Sequence, residues 1–181
     1  ETVFDRKIDP KSLPVIRSHV IDGHAVLPMA LILEWAAEGA LHRHPGMVVQ
    51  SVENVKLFKG VVVKNAHSAS ISIRAGKQQR RDRGFMIPVE LHGKSESGKP
   101  VIHARAEVVI ADRHESSERR IGEPSLFPMS HDRDEIYRRL LFHGPALQAI
   151  TDFEGHDDQS IAAKAATSPA PSSWMERPLR Q

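Results

Sequence analysis

Two histidines, an aspartate, a glycine and a proline fall within ten otherwise apolar residues, HVIDGHAVLP, from His19 to Pro28. An imidazole titrates near neutral pH, so its uncharged form is available as a general base for a weakly acidic proton. Apolar surroundings favour that form, because desolvation opposes the imidazolium. Val20, Ile21, Val26 and Leu27 are the residues at hand to supply them. A histidine near a helix is more often structural than catalytic, so the neighbouring pattern has to decide. His24 lies five positions from His19, a spacing unsuited to one face of a helix or strand, and is expected to be structural or loop-lining. His42 and His44 crowd the end of the next segment, where an imidazolium would complement a helix dipole. The HExxH arrangement and cysteine are both lacking, so no metal site is expected.

Residues 28–42, PMALILEWAAEGALH, position this stretch. Their apolar groups run around almost the whole circumference, which predicts a buried helix with Trp35 in the core. Pro28 suits the first turn, and Pro45-Gly46 follow as a stop signal. Strand-like segments come next: Met47 to Val63, the alternating Ser68 to Arg74, Gly84 to Leu91, and Pro100 to Ile110. Glycine-bearing polar stretches link them at Gly76–Gly84 and Gly93–Pro100. The first of these, GKQQRRDRG, is a possible phosphate patch, but no aromatic residue interleaves with its charges, and it reads as a solvated hairpin tip.

The fold class expected is therefore α+β, one long helix wrapped by an antiparallel sheet. A first domain is expected over 1–111 and a charged, proline-bearing linker over 112–131, with a second unit beginning at 132. That unit opens with a short helix capped by Asp132 or Asp134, with Ile136, Leu140 and Leu141 as its apolar stripe. Strand-like segments follow near Ala149–Phe153 and Ser160–Ala166.

Composition sets the class. The chain has 181 residues, 40% hydrophobic and 27% charged, as a globular protein does. Its net charge of +2 gives no argument for nucleic acid, and no apolar run reaches the roughly 20 residues of a membrane span. The absence of cysteine suits a reducing cytoplasm. A chain opening at Glu1 is expected to be a piece of a longer polypeptide.

The spacing His19-x-x-x-Gly23-x-x-x-x-Pro28 resembles the HxxxGxxxxP motif of the dehydratase domains of polyketide synthases and the related polyunsaturated fatty acid synthases. Phe142-His143-Gly144-Pro145-Ala146-Leu147-Gln148 resembles the family's second signature, YGPxFQ. The resemblance implies a double hotdog fold, with 1–111 as the first hotdog and 132–181 as the start of the second. It implies removal of water from a β-hydroxyacyl thioester to give an enoyl thioester, with His19 as base. Gly23, Pro28, His143, Gly144 and Pro145 would contact the substrate, and amides near Pro28 would meet the thioester carbonyl. No metal or organic cofactor is implied. The substrate would ride on the phosphopantetheine arm of an acyl carrier protein beside neighbouring synthase domains, in the cytoplasm, with a homodimer possible through open strand edges.

Three departures stand against the pattern. His143 replaces the tyrosine and Leu147 the phenylalanine of the second signature. The family's acid, an aspartate in DxxxQ or DxxxH at the head of another helix, is expected beyond Gln181. Asp152 to His156 fits DxxxH as a string but in a strand-and-turn context. Gly144-Pro145 also reads simply as a turn. Other readings of the chain are a hydratase, a thioesterase, a product-template cyclase or a non-catalytic dehydratase-like scaffold.

Overall fold

The computed structural model describes residues 1–64, 68–95, 97–114 and 126–168. It divides into two compact units, Glu1–Pro10 with Val26–Ser116, and Lys11–Ala25 with Ser117–Gln181. The expected linker at 112–131 falls largely on 115–125, outside the described residues, as does the tail from Trp174 to Gln181.

In the first unit the strands are β1 (Thr2–Ile8), β4 (Val48–Leu57), β6 (Ala69–Ala75), β7 (Gln79–Arg81), β8 (Gly84–Lys94) and β9 (Pro100–Ala111). The second unit contributes β2 (Val20–Ile21), and β3 is His24–Val26; β5 is Val62–Val63. The first unit's sheet is antiparallel in the order β1-β6-β8-β9-β4, with β7 paired to β8. The helix α1 (Met29–Leu41) packs on β4, β6, β8 and β9. This is the expected α+β hotdog arrangement.

Alternation produces it. Ile71 and Ile73 of β6, Val89 and Leu91 of β8, and Ala104, Ala106, Val108 and Ile110 of β9 are all buried, while the positions between are less so. On α1, Leu31, Ile32, Trp35, Ala36 and Ala40 are buried in turn. Gly39 lets helix and sheet close up, since a Cβ there would lie 2.6 Å from Ile73 Cγ2. Pro28 is the N-cap of α1, and its carbonyl accepts from Leu31 and Ile32 N–H.

Several details differ from the sequence reading. The segment Met47–Val63 is not one strand: β4 ends at Leu57, and β5 is a separate pair of residues. Strand β4 is the sheet edge, bulged between Val49 and Ser51 and again between Glu53 and Lys56. Asn54 in the second bulge has φ +48° and donates to Glu107. β1, unassigned from the sequence, pairs with β6. The basic Gly76–Gly84 link holds β7, an exposed strand that turns through Asp82-Arg83 back into β8. Pro88 sits where the neighbour of β8 changes from β6 to β7, a gap in the ladder that needs no N–H donor.

The second unit contains the helix α2 (Arg133–Arg139) and the antiparallel pair β10 (Ile150–His156) and β11 (Ile161–Ala165). Asp132 caps α2 as expected, its side chain accepting from Glu135 N–H at 2.7 Å. The expected stripe is corrected: Ile136 and Tyr137 are buried, whereas Leu140, just past the last helical residue, is 66% exposed. Phe127, inside the expected linker, exchanges both backbone hydrogen bonds with His156.

Candidate active site

Residues 14–18 form a 3₁₀ turn that ends on His19, whose N–H donates to Ile16 O at 3.1 Å. The chain then runs into the hairpin β2–β3, which pairs Val20 with Ala25 and Ile21 with His24. Its two turn residues, Asp22 at φ +51° and Gly23 at φ +76°, give the left-handed pair a type I′ turn requires. Gly23 is thus explained by backbone conformation; a Cβ there would meet nothing within 4 Å.

The second signature arrives at the same place within the second unit. His143 lies opposite His19 in an antiparallel bridge, and Gly144 N–H donates to Ser18 O at 2.7 Å. That flanking bond marks His19 and His143 as a non-hydrogen-bonded pair, in which side chains approach more closely. The two imidazoles stand 5.7 Å apart by ring centroids. Phe142 meets His19 edge-on at 5.1 Å and stacks on His143 at 4.5 Å. Burial, and then the neighbouring His19, lower the pKa of the His143 imidazole from its ordinary value, which favours the neutral form.

Glycine at 144 is required by contact. A Cβ would come within 2.9 Å of Ser18 Cα and 3.0 Å of Ser18 Oγ. Pro145 opens a second 3₁₀ turn, over Pro145–Leu147, and Ser18 Oγ accepts from Ala146 N–H at 3.1 Å. Ser18 therefore binds the signature loop through both its carbonyl and its hydroxyl. It is buried, and no motif in the sequence points to it. Gln148 closes the second signature, and its side chain donates to His143 O at 3.0 Å.

The structure brings together His19, His143, Gly144 and Pro145. Gly23 sits on the adjoining hairpin, and Pro28 belongs to the other unit, as the N-cap of α1. His24 lies in β3, and His44 stacks on Phe85 in the first unit. Asp152 to His156 lie in the bulged strand β10. Among the described residues no cluster of three or more His, Cys, Asp or Glu is placed to hold a metal, and no helix is long and apolar enough to cross a membrane.

Residues 1–89 match the family of the polyketide synthase dehydratase domain. The chain is 30% identical over 172 residues to a polyunsaturated fatty acid synthase subunit of Thraustochytrium sp., an alignment covering 93% of this chain and 6% of that protein. Among solved structures, GphF dehydratase 1 superposes with a TM-score of 0.68 at 18% identity, over 96% of this chain and 61% of its own. The inactive histidine-to-phenylalanine mutant of the CurK dehydratase superposes at 0.63 and 17%, over 83% and 53%. At such identities the superpositions speak for the fold. The chain thus spans little of its synthase relative and somewhat over half of these solved domains. Its first 89 residues, just under half of the chain, are thus similar to the polyketide synthase dehydratase domain family, and a polyunsaturated fatty acid synthase is among its relatives.

Proposed function

We propose that this chain carries the base of a β-hydroxyacyl-thioester dehydratase, and that the base is His19. The observation that carries the reading is the His19–His143 bridge: two signatures more than a hundred residues apart meet as a backbone pair, with an imidazole presented between aromatic rings. In the reaction the α C–H bond breaks and its proton goes to a ring nitrogen of His19. The electron pair forms the C=C bond as the β C–O bond breaks, and the departing hydroxide leaves as water with a proton from an acid. The family resemblance assigns that acid to an aspartate at the head of another helix. His143, whose neutral form is favoured, forms the wall beside the base with Gly144 and Pro145. Substrate contacts by Gly23 and Pro28 rest on the motif.

The substrate is an acyl chain on the phosphopantetheine of a carrier protein, and the chemistry calls for no resident cofactor or metal. The further partners are neighbouring synthase domains and a second copy of the chain, and the site of action is the cytoplasm. The CurK mutant is inactive with one histidine replaced, which supports a histidine as the group to test here.

The test isolates the base from the acid. In deuterium oxide, a β-hydroxyacyl thioester incubated with the protein should exchange its α-hydrogen, and His19→Ala should lower that exchange by roughly 10²–10⁴-fold with the fold unchanged. Enoyl formation is followed alongside it, and hydrolysis in its place would mark a thioesterase. Equal exchange in His19→Ala and the unaltered protein would remove His19 from the mechanism.

A further inference from the structure

His19 is held opposite a loop, and that loop is itself held from behind. In the narrow bridge the carbonyl of His143 points away from the His19 strand, free for another donor. Gln148 supplies it: its side-chain amide donates to His143 O at 3.0 Å while its own N–H donates to Pro145 O at 3.3 Å. Residues 143–148 thus close on themselves. Two residues further on, Ile150 is gripped at both backbone groups by α2. Arg133 Nε donates to Ile150 O at 2.6 Å, and Ile150 N–H donates to Tyr137 Oη at 3.0 Å. Arg133 and Tyr137 are four residues apart on one face of α2, and the guanidinium lies 5.1 Å over the phenol ring. A second guanidinium nitrogen reaches Gln148 O at 3.5 Å, so Arg133 spans both ends of this short segment.

From this geometry we infer that Gln148 is a positioning residue for the His19–His143 pair, with Arg133 on α2 as its anchor. Gln148 does not touch the reacting atoms. It fixes the backbone of His143, and with it the ring beside the base, so that the wall of the site is set by an amide five residues downstream and a helix ten residues upstream. The inference rests on the reading of His19 as base only for its functional meaning; the physical claim concerns the ring pair.

The two are tested on different signals. Gln148→Glu keeps the shape of the side chain but removes its N–H donors, and Arg133→Lys retains a cation and a donor. In the full chain with isotope-labelled histidine, cross-relaxation between the His19 and His143 ring protons should be present. It should vanish in Gln148→Glu at an unchanged melting temperature, and persist in Arg133→Lys. Should Gln148→Glu unfold, Gln148→Ala removes the donor without adding charge and is read in the same way. Cross-relaxation that persists in a folded variant lacking the amide overturns the inference. In the α-hydrogen exchange assay the same variant should lose roughly a hundredfold, the scale of an ångström-sized misplacement. A protein that shows the ring pairing and its dependence on Gln148, yet exchanges no α-hydrogen, overturns the dehydratase reading and leaves the positioning intact.

Discussion

The α1–sheet core of the first unit and the His19–His143 pair of the second are held by different forces. In the core, Trp35, Ile71, Ile73, Val89, Leu91, Val108 and Ile110 are each 2% exposed or less, and their order follows from apolar area removed from water. The histidine pair is only partly buried, and Phe142 beside it is 53% exposed. It is fixed by individual hydrogen bonds from Gly144, Ala146 and Gln148 and by one close approach of backbone to backbone. A burial-held region loses stability when a side chain is shortened. A bond-held region loses geometry while the rest of the protein stays folded.

The largest effect should come from the core. Leu91→Ala removes a fully buried side chain and should lower unfolding free energy by about 2–5 kcal/mol in a denaturant titration. Below its melting temperature it should leave the two histidine rings paired, and their separation in the folded variant would break the distinction. Gly144→Ala is the converse. Its Cβ must displace Ser18, at an expected cost of about 1–3 kcal/mol as an overpacked contact, and the ring pairing should disappear while the amide resonances of β6, β8 and β9 keep their positions. Asp132→Ala should cost about 1 kcal/mol through removal of the cap of α2, read as helix fraying by hydrogen exchange. The smallest effect concerns pH. The folded protein holds His143 below its ordinary value, so as pH falls through the usual histidine range the unfolded chain takes up a proton that the folded chain refuses. Stability should decline there, and His143→Tyr should remove that part of the decline; identical pH profiles for the two proteins would count against a depressed His143.

Much of the fold is legible in the sequence because it is local. α1 reads from its apolar circumference between Pro28 and Pro45-Gly46, and β6 from the alternation of SASISIR. β1 escapes such a reading because Asp5, Arg6 and Lys7 make its sequence look like a loop, and the strand that pairs with it lies more than sixty residues ahead. Of the site, His19 and the HGP turn are visible as motifs, while Ser18 is not. Nothing in a serine marks it, and its hydroxyl acts on Ala146, 128 residues away. The motif makes Gly23 a point of close approach to substrate. Asp22-Gly23 is also a two-residue hairpin signal, and that is the role the backbone gives it. Leu140 fits the helical stripe, but the helix stops before it and Tyr137 is buried in its stead.

The sheet order also has a consequence for the chain as it is being made. β4 ends at Leu57, yet the strand that covers one of its edges begins only at Pro100. At about 5–20 residues per second of synthesis, the interval is on the order of several seconds. During that time the backbone edge of β4 has no β9 to pair with, and the apolar face of α1, already emerged, has no finished sheet to pack on. The hairpin β8–β9 closes locally and quickly once made, and it is the event that ends the wait. A ribosome stalled before Pro100 would therefore display an incomplete, sticky first unit, and one stalled well past Ala111 a finished one.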